Sequence, residues 1–135
     1  HQAVAFSKTG IPLVASLGES PVELKDEDTI PVGKTAIRVF HTPGHSPGSL
    51  CAWAGNNLLT GDTLFIGGCG RTDLLGGDPK ALFKSLKKIA GFPKDTVIWP
   101  GHGAGTTLHR RLGEELKDNP FLRIPDEMQF INQFV

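Results

Sequence analysis

Short apolar or alternating runs at 12–16, 36–40, 49–54 and 57–60 are each bounded by Gly, Pro or Asn, which is the pattern of β-strands. Gly55-Asn56-Asn57, between the last two runs, reads as a hairpin turn. A fifth apolar run, 96–99, follows the Pro93-Lys94-Asp95 turn, ends at Pro100 and reads as a further strand. Asp78 and Pro79 suit the N-cap and first position of a helix. Its apolar face is Leu82, Phe83, Leu86, Ile89 and Ala90, and Gly91 and Pro93 stop it. Thr106 or Thr107 can cap a second helix, in which Leu108, Leu112 and Leu116 recur every four residues before Asn119-Pro120. Gly113 weakens that helix by about 1 kcal/mol relative to Ala. Over 126–135 the apolar spacing fits a short terminal helix without fixing its register. Strands alternating with capped helices indicate an α/β or mixed (α+β) sandwich.

A chain of 135 residues fits one domain with a real core, and 1–135 is taken as part of a single domain. Fourteen basic residues balance fourteen acidic ones without a Lys/Arg stripe, so no nucleic-acid partner or anionic membrane surface is expected. No apolar run approaches the roughly 20 residues that span a bilayer. Cys51 and Cys69 form no C-x-x-C pair and no disulfide framework, which favours a reducing cytoplasmic setting. The 17 Gly and 10 Pro sit between apolar segments and mark tight turns near a site.

Three of the strand-like runs end in a turn that delivers Gly and then a metal-ligand side chain: Gly44-His45, Gly61-Asp62 and Gly101-His102. Strand ends in α/β folds open onto the crevice where ligands bind, and Gly lets the chain turn sharply there. Singly, each residue has an ordinary reading as a solvated loop histidine or a turn-capping aspartate. The repetition is what points to a shared metal, and two imidazoles with one carboxylate suit zinc, iron or manganese. His41, at a strand end, is read as structural, His109 as exposed on the second helix, and His1 is left unassigned. The Gly-rich stretch from Gly67 to Asp73 lacks the G-K-[ST] start of a phosphate loop and is read as facing substrate. Within it Arg71 either grips a substrate carboxylate or pairs with Asp73. Cys69 is read as a buried small thiol, not a nucleophile, and Cys51 as core.

Thr42-Pro43-Gly44-His45-Ser46-Pro47-Gly48, Thr60-Gly61-Asp62-Thr63-Leu64-Phe65 and Pro100-Gly101-His102-Gly103 together resemble three successive motifs of metallo-β-lactamase-fold proteins. Gly70-Arg71-Thr72-Asp73-Leu74, Gly77-Asp78-Pro79 and Asn119-Pro120-Phe121-Leu122 are similar to the small bacterial hydrolases of the glyoxalase II kind, and the likeness spans about 11–125. The resemblance implies an αββα sandwich of which this chain is an incomplete, C-terminal part. It also implies a centre of two zinc ions, with His45 on one, His102 on the other and Asp62 bridging. The family's H-x-H-x-D-H ligands are not in the sequence, which leaves each ion two protein ligands where catalytic zinc usually keeps three. On its own the chain is expected to hold metal weakly, and its open sheet edge and face invite pairing between copies.

By the same resemblance the implied reaction is hydrolysis of a thioester, such as an acylglutathione, by a metal-bound hydroxide. Asp62 is then the catalytic residue that places both ions, and Arg71 the anchor of a glutathione-like carboxylate. The stretch 68–73 also resembles glutathione persulfide dioxygenases, in which His45 and Asp62 would belong to a mononuclear iron site. A third reading is a truncated, catalytically inactive remnant that keeps the fold.

Overall fold

The computed structural model describes residues 23–103 and 105–134. The chain first lays down a four-strand meander: β1 (Thr29–Val32), β2 (Thr35–His41), β3 (Leu50–Ala54) and β4 (Asn57–Gly61), each antiparallel to the one before. The β3–β4 turn falls within the expected Gly55-Asn56-Asn57 as a two-residue connection over Gly55-Asn56, with Gly55 at φ +61° and Asn57 already paired opposite Ala54. A glycine first in such a turn matches the twist of the strands it joins. The chain then leaves the sheet for a short hairpin, β5 (Leu64–Phe65) and β6 (Gly68–Cys69), and for helix α1 (Pro79–Ala90). It returns as β7 (Val97–Pro100), parallel to β4, and adds β8 (Arg110–Arg111) antiparallel to β7. The sheet order is β1-β2-β3-β4-β7-β8. The architecture is therefore a mixed sheet with helices, as the alternation of elements suggested.

Helix α1 has the start and stop read from the sequence. The Asp78 carboxylate accepts from the Lys80 and Ala81 N–H groups at 2.9 and 3.1 Å, and Pro79 fills the first helical position, where no N–H is needed. Such a cap contributes about 1 kcal/mol. Leu82, Leu86 and Ile89 are buried from this helix and pack with Cys51, Leu58, Leu64, Ile98, Leu112, Leu122 and Phe130 in one core cluster. Each fully buried Leu or Ile is worth about 1.5–3 kcal/mol. The strands alternate accordingly: in β4 Leu58 and Thr60 point into the core and Leu59, between them, stays 51% exposed. Trp99, the register partner of Leu59, is exposed on the same outer face.

The second helix begins later than its leucine spacing predicts. Arg110 and Arg111 pair with Ile98 and Val97 as β8, and helix α2 runs only over Leu112–Asp118. The unpaired edge of β7 offered those two residues ladder partners, and Glu114 caps the late start by accepting from the Arg111 N–H at 3.2 Å. Leu112 is buried and Leu116 packs against the core, whereas Leu108 is 71% exposed, so the four-residue repeat marked only one of its three leucines wrongly. The terminal segment resolves into helix α3 (Glu127–Ile131), capped by Asp126 onto the Gln129 N–H at 3.0 Å, and a 3₁₀ turn at Asn132–Phe134. The strand-like run at 12–16 lies outside the described residues.

Candidate metal centre

The three Gly-ligand steps converge because of strand direction. β2 and β4 both run antiparallel to β3, and β7 runs parallel to β4, so the C-terminal ends of β2, β4 and β7 open at the same edge of the sheet. His45 lies in the turn after β2, Asp62 directly after β4 and His102 two residues beyond β7. A hydrogen bond from the Gly101 N–H to the Gly61 carbonyl, 2.8 Å, ties the last two turns together.

Asp62 offers one oxygen to each imidazole. Its Oδ2 is 3.6 Å from His45 Nε2, and its Oδ1 is 2.5 Å from His102 Nδ1. His45 Nδ1 lies 2.9 Å from the Arg71 carbonyl oxygen, which can only accept, so Nδ1 carries a proton and, in the neutral ring, Nε2 presents its lone pair toward Asp62. A lone pair and a carboxylate oxygen facing one another at that distance leave room for a cation between them. Ligands about 2.0–2.1 Å from a tetrahedral zinc stand roughly 3.3 Å apart, so the His45–Asp62 pair has the spacing of two such ligands. The His102–Asp62 contact is a hydrogen bond, and His102 must swing outward for an ion to enter between them; its side chain is 77% exposed and free to do so. Among the described residues no group of three or more His, Cys, Asp or Glu side chains encloses a metal position. Asp62 instead faces one imidazole with each of its oxygens.

Close backbone packing holds these turns. Gly44, at φ +141°, lies under α1, where a β-carbon would come within 2.4 Å of the Leu82 backbone. The Gly44 carbonyl accepts from the Asp78 N–H at 2.8 Å and the Pro43 carbonyl from the Ser85 hydroxyl at 2.7 Å, so the helix start is docked onto the His45 turn. Behind the site are three fully buried threonines that the sequence reading did not single out. Thr42 Oγ1 and Thr63 Oγ1 are 3.1 Å apart, and Thr60 donates to the Leu64 carbonyl at 2.7 Å. Their only sequence signal is position, each standing one to three residues from a ligand inside its Gly-containing motif.

The remaining candidates stay apart from Asp62. The Arg71 guanidinium grips Asp73 through Nε and Nη2 at 2.7 and 2.6 Å, and this pairing holds the Asp73 carboxyl down at about 2. What Arg71 gives the centre is its backbone carbonyl. His41 is structural, with Nε2 on the Pro47 carbonyl at 2.8 Å and its N–H on Asp26. His109 precedes the helix it was expected to occupy and stacks on Trp99 at 4.4 Å between centroids. Burial pushes the Cys69 thiol up to about 12, and Cys51, fully buried in β3, to about 11. Neither is poised as a nucleophile. His1 lies outside the described residues.

Residues 3–102 match the Metallo-beta-lactamase superfamily. Among curated proteins, an uncharacterised protein of Mycobacterium leprae is 44% identical over 106 residues, covering 75% of this chain and 47% of that protein. A probable polyketide biosynthesis zinc-dependent hydrolase of Bacillus velezensis is 30% identical over 133 residues, 98% of this chain and 59% of its own. A hydroxyacylglutathione hydrolase of Salmonella dublin is 46% identical over 77 residues, 57% of this chain and 30% of its own. Among solved structures, ETHE1 from Myxococcus xanthus superposes with a TM-score of 0.81 at 30% identity, over 90% of this chain and 54% of that one. A protein solved in a di-iron-bound form superposes with a TM-score of 0.63 at 40% identity, over 76% of this chain and 50% of that one. The chain spans about half the length of the curated relatives it matches.

Proposed function

Because this chain belongs to the metallo-beta-lactamase superfamily, we propose that it carries half of the dinuclear centre of a thioester hydrolase, with His45 and His102 on separate ions and Asp62 bridging them. Relatives named as metallo-hydrolases support the hydrolase class, and the hydroxyacylglutathione hydrolase among them supports a glutathione thioester as substrate. The observation that carries the reading is the division of the Asp62 carboxylate, Oδ2 toward one imidazole and Oδ1 toward the other. Zinc is the metal we assign, since the relative covering nearly all of this chain is a zinc-dependent hydrolase by name. The likeness to a di-iron form keeps iron in the comparison.

Bound zinc would supply a water acidic enough to ionise near neutral pH and a Lewis acid for the carbonyl. The chain's own part is placement. Asp62 holds its carboxylate rigidly between two turns. His45 presents a lone pair because Arg71 fixes its proton, and the glycines let the backbone come close enough for both. Thioester cleavage adds water across the C–S bond to give an acid and a thiol. The thiolate leaves without a strong general acid, so no further carboxylate pair is demanded. We assign Arg71, on the exposed rim of the Gly-rich loop, as the anchor of a substrate carboxylate, which would take the place Asp73 holds on the guanidinium. No described helix is long and apolar enough to cross a membrane. We place the protein in the cytoplasm, and the exposed Leu59 and Trp99 on the outer face of the sheet suit association with a second copy.

The test is thiol release from an acylglutathione by the zinc-loaded full chain, against Asp62→Asn. Turnover falling at least a hundredfold in the variant supports the reading. Equal turnover in both removes Asp62 from the chemistry, and absence of turnover in both favours a fold kept without its activity. A second reading is favoured by one observation: only the His45–Asp62 pair already has metal-ligand spacing, while His102 hydrogen-bonds the carboxylate. That is the arrangement of a mononuclear iron site with His102 outside it. Iron bound at one equivalent, with oxygen uptake on glutathione persulfide, would establish that alternative.

A further inference from the structure

Among the described residues Glu115 is the charged side chain that is fully buried, and Asn119, one helical turn on, is buried with it. A buried carboxylate costs several kcal/mol unless its lone pairs are used. Here they are. Oε2 accepts from the Gly67 N–H at 2.8 Å and from the Asn119 amide at 2.9 Å, and Oε1 accepts from Arg110 at 3.1 Å. The Asn119 amide also donates to the Phe65 and Gly68 carbonyls at 3.2 and 3.0 Å, and its oxygen accepts from the Phe121 N–H at 3.0 Å. Two side chains from one face of α2 therefore grip the tip of the β5–β6 hairpin.

That hairpin reaches all three residues of the centre. Its first strand leaves directly from Asp62-Thr63. Beyond its second strand, Gly70 packs so tightly on Asp62 that a β-carbon would meet the Asp62 carbonyl oxygen at 1.9 Å and His45 Cβ at 3.1 Å. The next residue supplies the carbonyl that holds the His45 proton on Nδ1. The Phe65 ring, at the tip, stands edge-on to His102 at 6.3 Å between centroids. A hairpin of two-residue strands has little stability of its own, so its position depends on its anchors: Leu64 buried in the core at its start, and the Glu115–Asn119 pair at its tip.

We propose that Glu115 and Asn119 are positioning residues for the metal centre: by fixing the tip of the 64–69 hairpin they fix the Arg71 carbonyl, and with it the tautomer in which His45 can ligate. The functional half of this statement rests on the metal reading above; the structural half does not. None of their hydrogen bonds goes to an imidazole or to the Asp62 carboxylate, so they act on the centre through the hairpin.

The test uses the full chain, ¹⁵N-labelled and free of metal, with the His45 tautomer read from its imidazole nitrogen shifts at pH 8. Zinc affinity is then measured by competition with a chromogenic chelator. Wild type should show the Nδ1–H form, and Asn119→Ala a mixture of tautomers with zinc affinity lowered about tenfold, the usual cost of losing an outer partner of a ligand. Ile89→Ala, a core truncation in the last turn of α1 that removes no hydrogen bond to the hairpin tip, serves as the control for lost stability and should leave both readings unchanged. Wild-type tautomer in folded Asn119→Ala, or an equal change in Ile89→Ala, overturns the proposal. Should Asn119→Ala not fold, Glu115→Gln keeps the side-chain volume and is judged the same way: a partial tautomer shift supports the proposal and a wild-type spectrum overturns it. Wild type that binds no zinc sinks the metal reading alone, because the tautomer comparison still decides whether the pair positions His45.

Discussion

A β-carbon on Gly70 would lie 1.9 Å from the backbone carbonyl oxygen of Asp62, so main chain and not a pliable side chain would have to move to admit it. The same substitution at Gly68, two residues earlier, would meet only the Phe65 β-carbon at 3.9 Å, an ordinary contact. Gly70→Ala should therefore cost about 1–3 kcal/mol by overpacking, and Gly68→Ala should stay within about 0.5 kcal/mol of wild type. Urea unfolding of the two variants side by side checks this. Equal midpoints would mean that the hairpin does not sit against Asp62 as described.

The divided carboxylate predicts metal stoichiometry. If Asp62 serves both ions, Asp62→Asn should lose both. His102→Ala should lose one while keeping the ion on the His45 side, because the Arg71–His45 contact does not involve His102. Metal analysis after dialysis of the full chain gives the count. One equivalent in wild type, unchanged in His102→Ala, would contradict a dinuclear centre and leave the mononuclear iron alternative standing.

The long elements and the ligand turns were legible because each announces itself locally. Asp78-Pro79 with its apolar stripe could form little but α1, and the Gly55-Asn56 turn fixed the β3–β4 register. Apart from the family resemblance, the convergence of His45, Asp62 and His102 was legible as a repeated pattern of strand, Gly and a His or Asp. Its physical cause, three strand ends pointing the same way, belongs to topology. Strands of two residues carry no periodicity, so β5, β6 and β8 were unreadable, and β8 in turn displaced the start of α2. The Glu115–Asn119 pair was invisible for a similar reason. On the helix Glu115 reads as an ordinary surface charge, and its burial depends on a hairpin 48 residues earlier in the chain.

As the proposed carboxylate anchor, Arg71 would separate binding from chemistry. Its backbone carbonyl orients His45 while its guanidinium is occupied by Asp73, which stays ionised down to about pH 2 and so competes for the guanidinium at any working pH. Arg71→Ala leaves the carbonyl in place and should raise KM for a carboxylate-bearing thioester about tenfold with kcat within twofold, the mark of lost uniform binding. Asp73→Asn, which frees the guanidinium, should lower KM. If steady-state kinetics show KM indifferent to both changes, Arg71 is not the anchor.

The two thiols should be inert in the fold and ordinary outside it. With Cys69 held at about 12 by desolvation, roughly one molecule in ten thousand carries its thiolate at pH 8, against about a quarter for a thiol of pKa near 8.5 in an unfolded chain. Alkylation of Cys69 by iodoacetamide at pH 8, followed by peptide mass spectrometry, should run at least a hundredfold slower in the native protein than in guanidinium-unfolded chain. Cys51, held at about 11 chiefly by burial, should lag as well. Linkage fixes the sign of the pH effect. Between about 8.5 and 12 the unfolded chain gives up protons that the folded chain keeps, so rising pH stabilises the unfolded state and stability falls across that window. Urea midpoints measured from pH 8 upward should therefore decline, and replacing Cys69 with Ser should make the decline shallower. A decline of the same slope in Cys69→Ser would mean that the thiol is not desolvated in the folded chain.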